Sequence, residues 1–257
     1  MKILILCGGM GARLREHTEF RPKPLVTVGG MPMIWHIMKI YSSFGHRNFV
    51  LCLGYKGWMI KDFFLNYRWK KNDFTLDLGN SGTIEHHERS LADWKITFAD
   101  TGKKTNTAGR ILISRKYLDE KRFMMTYGDG VSDINFDKLL QFHEKKGKIA
   151  TISCTRATSK YGLVMPDDEG LVTDFKQKPI LSDLINIGFA VFENEIFNYI
   201  NKDCPIEDVF PELIKDGQLG MYQHNGFFHS MDTYKDYQDL NNTWNSNNVP
   251  WKIWNDK

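Results

Sequence analysis

The 257-residue sequence has no C-x-x-C pair, and its four cysteines, Cys7, Cys52, Cys154 and Cys204, stand far apart. That spacing excludes a disulfide scaffold and reads as small core residues rather than a redox or metal cluster. No stretch approaches the ~20 consecutive apolar residues of a membrane span. The opening Met1-Lys2-Ile3-Leu4-Ile5-Leu6-Cys7 carries a charge and an apolar run of only about five residues, which Gly8 stops short of a secretory signal. A cytoplasmic protein with no membrane partner is expected. A dominant charge is missing as well. With 34 basic and 31 acidic residues the formal net charge is +3, so no broad field for nucleic acid or a membrane surface follows. Any anionic ligand has to be held by local groups. Internal repeats and low-complexity segments are absent. Hydrophobic residues at 42% and charged residues at 25% are ordinary for a globular protein and exclude disorder and a collagen-like chain. The length suits one large α/β domain with or without a small appendage.

The chain begins as buried strand alternating with helix. Ile3 to Cys7 is an apolar run bounded by glycine, as a strand buried on both faces requires. From Pro32 the pattern turns helical, with Met33, Ile34, Ile37, Met38, Tyr41 and Phe44 on one face and Gly45 at the end. Phe49 to Leu53 reads as a second strand and Gly57 to Tyr67 as a second helix. Residues 68–108 differ: alternating stretches such as Trp94-Lys95-Ile96-Thr97-Phe98 suggest a β-rich excursion of exposed antiparallel strands. Helix (Gly109 to Tyr117), strand (Phe123 to Tyr127), helix (Phe136 to Lys146) and strand (Ile149 to Thr155) then resume. Helices are expected near Glu193 to Asn201 and Glu207 to Asp216, and a last one beginning at Asp232 as its cap. The Asn- and Trp-rich tail from Asn241 suits a docking arm. The whole is read as one α/β domain over residues 1–257, a Rossmann-like, mostly parallel mixed sheet with a smaller β-rich extension and a C-terminal helix and tail over 232–257.

Gly8-Gly9-Met10-Gly11-Ala12-Arg13-Leu14 follows the first strand directly. Glycines there let backbone N–H groups approach a phosphate chain, and Arg13 adds a charged fork. No Gly-Lys-Ser/Thr follows, which excludes a P-loop, and the dinucleotide fingerprint lacks both its third glycine and its downstream acid. A tight turn without a ligand remains the plain alternative. Pro22-Lys23-Pro24 then sets a lysine between two prolines, with a stiff backbone and an ammonium aimed in advance.

Gly-Gly-x-Gly-x-Arg-Leu followed by Pro-Lys-Pro-Leu-Val resembles the sugar-1-phosphate nucleotidyltransferases. Tyr127-Gly128-Asp129-Gly130, Lys178-Pro179 and Met231-Asp232-Thr233 fall in the order that family uses. Within it the chain is most similar to the cytidylyltransferases, through Ile34 to Lys39, Gly54-Tyr55-Lys56-Gly57, Asp100-Thr101-Gly102, Phe142-His143-Glu144 and Pro250 to Trp254. The resemblance implies a GT-A-like nucleotidyltransferase fold and in-line attack of an acceptor phosphate oxygen on the α-phosphorus of CTP. It assigns catalysis to Arg13 and Lys23 and nucleotide binding to Leu6, Gly8, Gly9, Gly11, Ala12, Arg13, Lys23, Arg110, Gly128 and Asp129. The acceptor falls to Gln177, Lys178, Asn186, Ile187 and Gly188, and Mg²⁺ to Asp129 and Asp232. It also implies a homo-oligomer, a hexamer in this family. Each role has a plainer counterpart: a solvated Asp-Gly turn for Asp129, a helix cap for Asp232, an exposed first-turn residue for Arg110. His86-His87-Glu88 could mimic a metal site, but neighbours on a strand point to opposite faces.

Departures from the family lie mainly on the acceptor side. Ala12 replaces a threonine and loses one hydroxyl donor. Gln177 stands where a glutamate is usual, which removes a charged acceptor for sugar hydroxyls. Ile187 replaces the middle glycine of an Asn-Gly-Gly and is expected to crowd the acceptor pocket. The reading is therefore a cytidylyltransferase whose acceptor is a phosphorylated sugar or polyol, with plain glucose 1-phosphate in doubt. Alternatives are another nucleotide, dTTP or UTP, and a non-catalytic nucleotide-binding subunit.

Overall fold

Alternation along one buried strand divides the core in two. Lys2–Leu6 forms strand β1. Ile3 and Ile5 point into a cluster with Met33, Ile37 and Phe136, whereas Leu4 and Leu6 point into a second with Ile111, Val209 and Leu213. Side chains of period two send successive residues to opposite faces, so both faces of this strand need cover. The computed structural model describes residues 1–257 except 12, 13, 15–17, 81, 88–92, 160, 247 and 256–257.

The described elements follow in chain order as β2 (Thr27–Val28), β3 (Met31–Pro32), α1 (Met33–Ser43), β4 (Asn48–Leu53), α2 (Gly57–Leu65), α3 (Tyr67–Lys71), β5 (Phe74–Asp77), β6 (Thr83–His86), β7 (Lys95–Asp100) and α4 (Thr107–Ser114). Then come β8 (Arg122–Tyr127), β9 (Gly130–Ser132), α5 (Phe136–Lys146), β10 (Ala150–Thr158), β11 (Leu163–Pro166), β12 (Val172–Lys176), β13 (Ile180–Glu193), α6 (Phe210–Lys215), β14 (Leu219–Gln223), β15 (Phe228–Ser230) and α7 (Tyr234–Asn245). Seven strands form the central sheet in the order β14-β10-β13-β8-β1-β4-β7. Strand β13 runs antiparallel to β8 and β10, and the remaining pairs are parallel. The expected mixed, mostly parallel α/β architecture is present.

Helix boundaries follow local chemistry. Asn135 caps α5 by accepting from the Lys138 amide at 2.9 Å, and Gly147 at φ 58° ends it. The last helix does not start at Asp232. Thr233 caps α7 in a capping box with Asp236, the residue three positions on that closes such a box. Near Glu193 and Glu207 the chain forms 3₁₀ turns, Asn194–Asn198 and Ile206–Val209, before the short α6.

The 68–108 segment also departs from expectation. Among its described residues β5 and β6 form an antiparallel hairpin, whereas Lys95–Asp100 pairs parallel with β4 as the edge of the central sheet. The alternation reflects an edge strand: Ile96 and Phe98 pack on the core while Lys95 and Asp100 face solvent. A second hairpin, β11 with β12, leaves Val164, Val172 and Phe175 exposed, and Ile180 is exposed at the start of β13, where that strand pairs with the end of β10. The tail docks on its own chain. Trp251 is fully buried, stacked 5.4 Å from Phe227, and Trp254 meets Trp35 edge-on at 5.6 Å. No described helix is long and apolar enough to cross a membrane.

Candidate active site

The C-terminal ends of β1 and β8 open into a cavity of about 330 Å³, where open α/β sheets take ligands. Leu6, Gly8, Gly9, Lys23, Arg110, Gly128 and Asp129 line it, seven positions expected to meet a nucleotide. Gly11 lies outside that lining; its carbonyl accepts from Thr18 Oγ1 at 2.9 Å. Ala12 and Arg13 lie outside the described residues.

Lys23 opens a 3₁₀ turn, Lys23–Leu25, between Pro22 and the buried Pro24. Its Nζ donates to Asp129 Oδ2 at 2.6 Å and to Asp232 Oδ1 at 2.8 Å. Burial opposes the ammonium, but the two carboxylates outweigh it and raise its pKa above the ordinary lysine value. A short antiparallel ribbon brings the acids together. Strand β15 pairs with β9, and the Met231 amide donates to the Asp129 carbonyl at 2.8 Å. Asp232 is therefore no helix cap; Ser230 Oγ donates to its Oδ2 at 3.0 Å.

Asp129 and Asp232 fit a hard divalent cation. Both carboxylates converge on one positive centre, and oxygen donors with phosphate and water completing the shell are what magnesium prefers. Among the described residues no group of three or more His, Cys, Asp or Glu forms a metal cage. His86 and His87 do not share one: His87 pairs with Thr75 Oγ1 at 2.8 Å and His86 lies beside the Trp69 and Phe74 rings. Glu88 lies outside the described residues.

Arg110 is not an exposed first-turn residue. It is buried, and its guanidinium donates to the carbonyls of Gly8, Leu53 and Gly102 and to Thr101 Oγ1. Burial lowers its pKa.

The five acceptor candidates lie outside this cavity's lining. Gln177 and Lys178 are exposed after β12, with Lys178 left-handed at φ 48°. Asn186 is exposed and its Oδ1 accepts from the Gly188 amide at 3.0 Å. Ile187 does not crowd an acceptor pocket, because its side chain is buried in the core cluster of Phe189 and Val191. Gly188 has φ +78°, and a Cβ there would lie 2.5 Å from Tyr127 Cδ2, so this position requires glycine.

Sequence reasoning missed the far wall, formed by Thr105, Asn106, Thr107, Pro205 and Glu207. Tyr127 donates to Glu207 Oε1 at 2.6 Å, and burial together with that carboxylate raises the phenol's pKa, so it stays a donor. Tyr127 stood inside a recognised motif; nothing near Glu207 marks it.

The nucleotidyl transferase family model matches residues 2–256. The chain is 42% identical over 257 residues to the probable glucose-1-phosphate cytidylyltransferase of Bacillus subtilis, covering 99% of this chain and 100% of that protein. It is 38% identical over 258 residues to the glucose-1-phosphate cytidylyltransferase of Salmonella typhi, covering 99% and 100%. A solved structure of a putative glucose-1-phosphate thymidylyltransferase from Bacillus anthracis, in complex with sucrose, superposes with a TM-score of 0.70 over 96% of each chain. At 18% identity that likeness shows the fold.

Proposed function

Because the chain belongs to the nucleotidyl transferase family, we propose that it transfers CMP from CTP to a sugar 1-phosphate, with glucose 1-phosphate the first acceptor to test. The observation that carries the chemistry is the convergence of Lys23, Asp129 and Asp232 beside the glycine-lined cavity. The names of the two relatives at 42% and 38% identity support the base and the acceptor.

In this reading an acceptor phosphate oxygen forms a bond to the α-phosphorus as the bond to the bridging oxygen breaks. The electron pair leaves with pyrophosphate. The attacking phosphate is already an anion, so the protein's task is to bring two anions together and offset their charge. Lys23 lines the cavity and can turn from the carboxylates to the triphosphate, with Arg13 assigned to the same phosphates. Asp129 and Asp232 would hold a divalent metal, Mg²⁺ in this reading, which when bound offsets charge on the phosphates. Lys178 takes the acceptor phosphate, and Gln177, Asn186 and Gly188 its hydroxyls. The exposed apolar residues Val172, Phe175 and Ile180 support assembly into a homo-oligomer.

A second reading keeps the chemistry and changes the acceptor to another phosphorylated sugar or a polyol, favoured by the uncharged Gln177. Pyrophosphate release from CTP, dTTP, UTP and GTP with Mg²⁺ across such a panel decides between them. Turnover of glucose 1-phosphate with CTP alone is the expected result. Preference for another nucleotide or acceptor corrects the reading, and silence throughout indicates a non-catalytic subunit.

A further inference from the structure

We propose that Glu207 is a specificity-determining residue that selects the base, its carboxylate accepting a hydrogen bond from the exocyclic amine of cytosine. The inference deepens the functional reading above and rests on it. Glu207 lines the cavity together with Lys23, Arg110 and Asp129. The two acids of that lining differ in their company. Asp129 is paired with the Lys23 ammonium at 2.6 Å. Glu207 has no cation beside it among the described residues; its Oε1 accepts from the Tyr127 hydroxyl at 2.6 Å. A carboxylate without a cation repels a triphosphate, so it has to face the neutral part of the nucleotide. Once ionised it only accepts hydrogen bonds, so the group it meets has to donate.

The wall is built to hold that carboxylate still. Ile206 and Val209, before and after it in the 3₁₀ turn, are buried in the core. The same stretch is stapled to the start of α4. The Ile206 amide donates to Thr107 Oγ1 at 2.7 Å, the Ala108 amide to Cys204 O at 2.9 Å and the Asn106 amide to Asp203 Oδ1 at 2.7 Å. Tyr127, at the end of β8, occupies Oε1, which leaves Oε2 as the oxygen without a partner among the described residues. A polar group held by packing and by neighbouring hydrogen bonds discriminates better than one on a free side chain.

Donors on the neutral part of a nucleotide are the ribose hydroxyls and the base N–H groups. Cytosine carries an amine where uracil and thymine carry a carbonyl oxygen. A fixed carboxylate bonds the first and repels the second, so one residue supplies both the attraction and the rejection. Arg110 lines the same cavity and carries donors alone, which suits the ring acceptors of cytosine. A donor pole and an acceptor pole on one cavity match the edge of cytosine and oppose that of uracil.

Glu207→Gln and Tyr127→Phe test this through the ratio of kcat/KM with CTP to kcat/KM with UTP, a readout that a merely structural role does not move. Glutamine keeps the size, loses the charge and offers donors to a carbonyl oxygen. In Glu207→Gln the ratio should fall by about 10- to 100-fold, with UTP gaining as CTP loses. The ratio of CTP to 2′-deoxy-CTP and the affinity for pyrophosphate should stay at wild-type values. Tyr127→Phe should lower the CTP to UTP ratio by less, since the carboxylate remains and only its orientation loosens. Thermal melting controls for folding, and the tyrosine variant carries the test if the glutamine variant does not fold. A wild-type CTP to UTP ratio in Glu207→Gln overturns the proposal. A change confined to CTP against 2′-deoxy-CTP assigns the carboxylate to the ribose and overturns it as well. Wild-type protein without a preference for CTP overturns the choice of base in the functional reading, a failure seen before any substitution is made. If turnover is absent, the same ratios are read from dissociation constants.

Discussion

Lys23 and Asp129 form an ion pair at 2.6 Å, and the same ammonium reaches Asp232 at 2.8 Å. The lysine thereby stands where the two acids would share a metal. An internal cation that neutralises a carboxylate pair competes with any external one, because the two cannot occupy the same centre.

Lys23→Met should therefore bind Mn²⁺ about tenfold more tightly than wild type in the absence of nucleotide, since the competing ammonium is gone. The same variant should lose about 10²–10³-fold in turnover with CTP. Titration followed by the electron paramagnetic resonance of Mn²⁺ measures the first effect without any reaction. An unchanged Mn²⁺ affinity would remove the competition argument.

The acceptor side separates into two positions with different physics. Ile187 is core, so Ile187→Ala should cost about 2–5 kcal/mol of stability and leave the ratio of acceptors unchanged. Gln177 is exposed, so Gln177→Glu should leave stability nearly unaltered and favour glucose 1-phosphate by up to about tenfold through a charge-assisted bond. Urea unfolding and paired kcat/KM values check both.

His36 makes folding sensitive to acid. Burial lowers its pKa from 6.5 to about 4, against the hydrogen bond to Val28 O at 2.9 Å. The unfolded chain binds a proton below pH 6.5 that the folded protein refuses until near 4. Its contribution is intact above pH 6.5 and is lost as pH falls towards 4, by about 3 kcal/mol in all. Unfolding free energies between pH 7.5 and 4.5 should show this slope in wild type and a shallower one in His36→Gln.

Val172 and Phe175 are 63% and 58% exposed on β12. Val172→Lys with Phe175→Glu should reduce a homo-oligomer to single chains while the melting temperature of the monomeric fold persists, because neither residue supports the core. Light scattering across protein concentrations measures the change.

Much of this was legible before any coordinates. Strands β1, β4 and β8 read correctly because burial on both faces leaves a continuous apolar run. Lys23 and Asp129, each flagged by flanking proline or glycine, stand together in a 2.6 Å ion pair, and the roles proposed for them rest on the family resemblance. The register of β7 was not legible, since an edge strand and an exposed hairpin produce the same alternation. Ile187 misled because its side-chain direction depends on the pleat of β13, which is fixed by pairing with β8 and β10 rather than by its neighbours in sequence. Glu207 carries no local signal; only the tertiary fold sets it opposite Tyr127.

The buried Trp251 carries a consequence for how the molecule is made. Helix α1 and His36 form early in the chain, yet the rings that cover them, Trp244, Trp251 and Trp254, come last. The cover of that face therefore depends on contacts between segments about 200 residues apart in the chain. A chain interrupted before residue 251 exposes that apolar face to solvent and to the proteases that survey it. The rings of Trp251 and Trp254 thus close a core that the apolar face of α1 begins.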